Sequence, residues 1–177
     1  MAIPPPRSTR VETSRLVLRP SEPDDALRAF ELLSDWSVAR NLSAVDFPPP
    51  DQRPWFGGHP HEWTAGAAYR FAVLLNGEMI GLTDLDHVTS VQAELGYWFG
   101  VPSWGRGYAT EAAGALVEFA RDTLGLSALV AGRAEDNLAS DRVLTKLGFE
   151  RSGQAEVYSQ PRQSSIVSIK YVRKLPT

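Results

Sequence analysis

The stretch "WGRGYATEA", Trp104 to Ala112, sets two glycines around an arginine directly before a run with helical periodicity. Glycine is a poor helix former, but it suits a backbone that turns tightly or approaches a ligand closely. A helix N-terminus carries unpaired N–H groups and the positive end of the helix dipole. Together these features describe a cradle for phosphate. The helix that follows shows one apolar stripe, Ala109, Ala112, Ala113, Leu116, Ala120 and Leu124, and Gly125 marks its end.

Outward from this loop the chain alternates strands and helices. "QAELGYWFG" (Gln92–Gly100) reads as a strand. Before it, "YRFAVLLN" (Tyr69–Asn76) and "EMIGLTDLDHV" (Glu78–Val88) flank Asn76-Gly77, a strong hairpin signal. "RLVLRP" (Arg15–Pro20) reads as a first strand, followed by a helix with Ser21 as N-cap and Ala26, Leu27, Phe30 and Leu33 at helical spacing. The prolines and the Gly57-Gly58 pair of Asp46–Trp63 break any long element there and predict an irregular or helical, aromatic-rich insert. After the glycine loop and its helix come a buried strand, Leu126–Gly132, and an amphipathic helix, Asn137–Phe149, ended by Gly148. Two strands close the chain, Glu150–Tyr158 and Ser164–Lys174. This order predicts an α/β domain of about seven strands with antiparallel hairpins and a central β–α–β unit. Residues 1–12 read as a flexible leader and 13–177 as one domain.

Composition narrows the function. With 43% apolar residues in 177, the chain can bury a core. It has no cysteine, which excludes disulfides, thiolate metal sites and an acyl-cysteine route. The net charge of −3, with Lys and Arg scattered, lacks the basic stripe of a nucleic-acid binder. No apolar run is long enough to cross a bilayer and the N-terminus has no signal-peptide core, so a cytoplasmic location is expected. His59-Pro-His61 has no further ligands in its pattern, and no metal site is expected.

Two uses of the glycine loop fail on spacing. A P-loop requires Gly-Lys-Ser/Thr at the helix start, whereas Arg106 is followed by Gly107 and Tyr108. A dinucleotide fold requires three spaced glycines beside the first strand. The third use is acyl-CoA binding. Trp98–Ala112, together with "AEDNLASDRVLTKLGF" (Ala134–Phe149), resembles the GNAT acetyltransferase superfamily and within it the RimJ/RimL-type branch. Trp104 stands where the broad family pattern has Arg or Gln, as in that branch.

The resemblance implies a mixed, strongly twisted central sheet flanked by helices, and acetyl-CoA as cosubstrate. The CoA pyrophosphate is expected on Trp104, Gly105, Arg106, Gly107, Tyr108, Ala109 and Thr110. The pantetheine arm is expected on Phe99, Gly100 and Val101. Asn137 and Ser140, three apart on one helix face, would hold the arm near the thioester and stabilise the departing thiolate. Lys146 would reach the adenosine phosphates. Glu94 is the expected base, with Glu156, Asp84 and Asp86 as rivals. The implied activity is direct acetyl transfer to a primary amine, either a protein N-terminus or a small molecule. A non-catalytic acyl-CoA-binding regulatory module is the alternative. A homodimer is compatible with the sequence, though nothing in it demands one.

Overall fold

The structure, a computed structural model, describes residues 3–176; Met1, Ala2 and Thr177 lie outside the described residues. Its strands are β1 (Val11–Glu12), β2 (Val17–Pro20), β3 (Tyr69–Leu75), β4 (Glu78–Asp86), β5 (Gln92–Phe99), β6 (Ala128–Ala134), β7 (Glu150–Ser159) and β8 (Ser164–Lys174). They form one sheet in the order β1-β2-β3-β4-β5-β6-β8-β7. Asn76 (φ 51°) and Gly77 (φ 86°) both take positive φ, as a two-residue primed turn requires, and Leu75 faces Glu78 across it. The strand beyond the expected seven is β1, which pairs with β2. It lies inside the segment read as a flexible leader. That segment is also tied down elsewhere: the Pro5 carbonyl accepts from the Trp63 indole (2.7 Å), and Arg7 donates to the Ser21 carbonyl and pairs with Glu22.

The helices are α1 (Ala26–Leu33), α2 (Trp36–Ala39), α3 (Arg53–Ala65), α4 (Tyr108–Asp122) and α5 (Leu138–Lys146). One reading needs correction. Ser21 is not an N-cap. A 3₁₀ turn, Pro23–Asp25, opens the segment, closed by a reciprocal Glu22–Asp25 capping box. The turn shifts the phase of α1, so Ala26, Ala29, Leu32 and Leu33 are buried while Leu27 is 71% exposed and Phe30 39%. Of the irregular and helical alternatives for the insert, the helix holds over half of it, as α3. Pro54 sits in its first turn, where no N–H partner is lost. Gly66 ends it at φ 69°. Phe56, His59 and Trp63, spaced three and four apart, bury one face, and this burial outweighs the bond lost at Pro60. A side-chain carbon at Gly57 or Gly58 would meet nothing, so the glycines lie outward and cost only propensity.

Two apolar clusters cover the two faces of the sheet. Leu16, Phe71, Leu95, Phe99 and the α4 residues Ala112, Ala113, Leu116 and Ala120 share one. Ala26, Ala29 and Leu33 of α1 meet Phe56, Ala72, Leu82 and Trp98 in the other.

The sheet changes character between β5 and β6. This is its parallel pair, and it runs only from Gln92↔Ala128 to Glu94↔Val130. Beyond that point β5 stays with β4 as far as Phe99, and β6 stays with β8 as far as Ala134. The two strands diverge, and a V opens between them. Gly100 sends its N–H to Ile80 on the β4 side (2.9 Å). By the alternation of an antiparallel ladder, the backbone of Tyr97 and Phe99 therefore faces into the V.

Candidate active site

The glycine loop lies past the open end of β5. Gly105 (φ 71°) and Gly107 (φ 81°) are both left-handed, and Gly107 is the residue from which α4 starts. A side-chain carbon at Gly105 would meet nothing within 4 Å, so backbone conformation rather than internal packing selects glycine there. The first-turn amides of Tyr108, Ala109 and Thr110 belong to a helix of 15 residues whose dipole favours an anion at this end. Tyr108 is buried in the core, and the Arg106 side chain is exposed. Trp104 is half-exposed, and its indole donates to the Phe99 carbonyl (2.7 Å), tying the loop to the end of β5.

The three residues expected along the pantetheine arm behave differently. Gly100 has its N–H on Ile80 and its carbonyl on the Ser103 amide, so it is not the free backbone expected. A side-chain carbon there would sit 2.5 Å from Leu32 Cδ2, so the Leu32 side chain would have to shift to admit one. Val101 accepts from the Trp104 amide inside a 3₁₀ turn. Phe99 keeps its N–H directed into the V.

Across the V, Asn137 caps α5: its Oδ1 accepts the Ser140 amide (3.2 Å). The cap fixes the first turn of α5, and with it Ser140. The Ser140 hydroxyl lies 2.8 Å from the Tyr97 hydroxyl. Burial pushes Tyr97 up to about 12, so it stays protonated. The structure thus brings Asn137, Ser140 and Tyr97 together. Lys146 is exposed at the opposite end of α5.

Glu94 lies on the other face of β5. Alternation puts Glu94, Gly96 and Trp98 on one face and Tyr97 and Phe99 on the other. Glu94 is partly exposed, and its carboxylate is 3.5 Å from His87 Nδ1. Its neighbours on that face are Asp84 and Asp86, opposite Gly96 and Glu94 in the β4–β5 register. A side-chain carbon at Gly96 would come within 2.3 Å of Asp84 Oδ1, so Gly96 makes room for that carboxylate. Arg70, almost fully buried, binds Glu62 (2.9 Å), Asp84 (2.8 Å) and Asp86 (3.1 Å), and its guanidinium lies over the Trp55 ring. Burial raises Asp84 to about 6. Arg70 pulls it down, but Asp86 and Glu94 compete for that charge and push it up.

Residues missed in the sequence complete the loop. Glu111, in the first turn of α4, accepts from Thr13, Ser14 and both the amide and the side chain of Arg15. Burial works against its charge, yet these hydrogen bonds hold it below the usual carboxylate range. Arg15 also donates to the Arg106 carbonyl (2.9 Å) and lies over the Tyr108 ring. A cation from a segment 91 positions earlier is therefore fixed on the glycine loop. No local pattern announces that contact.

Residues 15–150 match the acetyltransferase (GNAT) domain family. The chain belongs to the GNAT acetyltransferases. The uncharacterized N-acetyltransferase p20 of Bacillus licheniformis is 28% identical over 155 residues, which cover 85% of this chain and 87% of the relative. Among solved structures, the Salmonella typhimurium acetyltransferase that modifies the N-terminal serine of 50S ribosomal protein L7/L12 superposes with a TM-score of 0.84. It is 18% identical, with 95% of this chain and all of the other covered. RimJ of Mycobacterium smegmatis, in complex with CoA-disulfide, superposes with a TM-score of 0.79 at 21% identity, covering 92% and 84%. The mixed sheet read from the sequence is the GNAT sheet, and this protein is an N-acetyltransferase of that family. Among the described residues, no helix is long and apolar enough to cross a membrane.

Proposed function

We propose that this N-acetyltransferase moves the acetyl group of acetyl-CoA directly to a primary amine, with a protein N-terminus as the favoured acceptor class. The observation that carries the reading is the V between β5 and β6. It opens between a glycine cradle at the start of α4 and the Asn137–Ser140 turn of α5. A molecule with a pyrophosphate at one end and a thioester at the other matches that spacing of features. The backbone from Gly105 to Thr110 receives the pyrophosphate, with Arg15 and Arg106 supplying positive charge beside it. The Phe99 N–H donates to an amide carbonyl of the pantetheine arm. Lys146 serves the adenosine phosphates from the far end of α5.

In this reading Asn137 acts through its cap, which orients the turn, and through its remaining amide N–H groups. Ser140 donates a hydrogen bond to sulfur as negative charge builds there. The amine must lose a proton, and Glu94 takes it on the opposite face of β5, beside Asp84 and Asp86. One face then serves the leaving group and the other serves the nucleophile. The likeness to the L7/L12-modifying enzyme supports a peptide N-terminus as acceptor. Net charge and scattered basic residues give no support to nucleic-acid binding. We read the chain, with β1 included, as one domain working in the cytoplasm, with pairing of two copies left to measurement.

The test is incubation with acetyl-CoA and a panel of N-terminal peptides and small amines, following free thiol. Release that depends on an acceptor supports transfer, and release without one, or none at all, overturns it. Ser140→Ala should lower turnover about a hundredfold, the low end for such groups, with acetyl-CoA affinity kept. The interaction grows only as charge develops on sulfur. Unchanged turnover per folded molecule removes Ser140 from the site.

A further inference from the structure

Tyr97 is partly buried beside Ser140, and the assignments above give it no task. Its hydroxyl is 2.8 Å from the Ser140 hydroxyl and 3.4 Å from the Ser140 carbonyl. One hydroxyl of the pair must donate in the short contact. If Ser140 donates, the Tyr97 proton is left with the long contact to the carbonyl, which is too far for a good bond. If Tyr97 donates, its proton makes the short bond and the Ser140 proton is free. The second arrangement gives the Tyr97 proton the short bond and leaves the Ser140 proton available to a ligand.

We infer that Tyr97 is a positioning residue: it donates to Ser140 Oγ and thereby directs the Ser140 O–H into the V, toward the sulfur of coenzyme A. The inference rests on the role proposed for Ser140. Two features of the fold support it. Tyr97 sits on β5 beyond the last residue paired with β6, and Ser140 sits on α5 above the end of β6, so the bond spans the V itself. Its serine end is held by the Asn137 cap, and its tyrosine end by the β4–β5 ladder opposite Thr83. Both side chains therefore start from backbone that is held in place. A hydroxyl that accepts one hydrogen bond is a better donor in the next, because the two polarise each other. Tyr97 remains protonated through the neutral range, since burial disfavours its anion. It is therefore a donor at every pH at which a thiolate would need help.

The test reads the thiol itself and needs no acceptor. Coenzyme A labelled with carbon-13 at the carbon next to sulfur is bound to the protein, and its thiol is titrated by NMR. A free thiol titrates at roughly 8.5, and bound to the parent protein it should be more acidic. Ser140→Ala should reduce that acidity about tenfold, as expected for one hydrogen bond to a charged atom. Tyr97→Phe should reduce it about threefold, with coenzyme A affinity unchanged. Tyr97→Met, a second variant without the hydroxyl, should match Tyr97→Phe. The double variant Tyr97→Phe, Ser140→Ala should titrate like Ser140→Ala alone, since Tyr97 acts only through the serine. If Ser140→Ala shifts the thiol and neither Tyr97 variant does, the inference fails and the Ser140 role stands. Additive shifts in the double variant also overturn it, by making Tyr97 an independent contact of the sulfur. If Ser140→Ala leaves the thiol where the parent has it, both readings fall.

Discussion

The two faces of β5 are built by opposite means. On the face of Tyr97 and Phe99 the machinery is mostly backbone: a helix start, two left-handed glycines and a capped turn. On the face of Glu94 and Gly96 it is side-chain charge. Three carboxylates, Glu62, Asp84 and Asp86, bind one buried arginine, and Glu94 lies opposite Asp86 in the strand register. Backbone devices leave local marks in a sequence because glycines and caps must sit at fixed offsets. Charge assembled from α3, β3, β4 and β5 leaves none, since its spacing exists only after folding. The chain thus carries one face that depends on conformation and one that depends on electrostatics, and each should fail in its own way.

The largest effect is expected on the charged face. Arg70→Met removes a cation whose side chain is only 8% exposed and leaves Asp84 without its partner. Breaking a buried pair this way typically costs about 3–5 kcal/mol. Urea unfolding should show that loss, and adding Asp84→Asn to Arg70→Met should recover part of it. A loss below about 1 kcal/mol would mean that water already screens the cluster, and the contrast between the two faces would collapse.

On the conformational face the measure is affinity. Gly107→Val places a branched side chain at φ 81°, where only glycine is at ease. It also puts carbon atoms where the phosphate would lie. Coenzyme A binding, followed by calorimetry, should weaken by more than about tenfold, equivalent to about 1.4 kcal/mol. Stability should fall by less than in Arg70→Met. If Gly107→Val binds coenzyme A like the parent, the cradle is misplaced, and the exposed Arg106 side chain becomes the better candidate for holding phosphate.

The same contrast explains what could be read in advance. The hairpin at Asn76-Gly77, the order of the later strands and the glycine loop follow from local chemistry, and the structure has them within a residue or two of the expected bounds. α3 was hidden because Pro60 and the Gly57-Gly58 pair vote against a helix, while burial of Phe56, His59 and Trp63 decides for it. Leu27 and Phe30 keep the helical spacing but face outward, whereas the small Ala29 packs in the cluster between α1 and the sheet. Of the candidate site, the glycine loop and the Asn137–Ser140 turn carry local marks in the sequence. Arg15, Glu111 and Tyr97 do not, because each acts on a partner distant in sequence. Arg70 carried no such signal: counting back from Leu75 opposite Glu78 sets it against Thr83, and only the irregularity between Val73 and Leu74 moves it opposite Asp84.

The smallest effect is a change in slope with pH, and it tests the charged face most finely. His59 is 2% exposed, and its Nδ1 is 2.7 Å from the Ser21 hydroxyl. Burial first, and then the charges of Arg70 and Arg7, lower it to about 3 against the opposing pull of Asp25 and Asp86. Between about 6.5 and 3 the unfolded chain binds a proton at this histidine and the folded chain does not, so stability falls as pH falls. Asp84 works in the opposite sense. Raised to about 6, it holds a proton in the folded state that the unfolded chain has released above 3.8, so stability falls as pH rises through that window. Between pH 4 and 6 the two slopes, each at most about 1.4 kcal/mol per pH unit, oppose one another. Asp84→Asn should expose the histidine, giving a variant whose stability climbs with pH relative to the parent. His59→Phe should expose the aspartate and tilt the profile the other way. Both follow from urea unfolding at a series of pH values, read as differences from the parent so that other carboxylates cancel. Equal profiles for parent and Asp84→Asn would place Asp84 in the ordinary carboxylate range. The acidic face would then be a set of independent surface charges around Arg70, with no coupling to hand a proton between Glu94 and its neighbours.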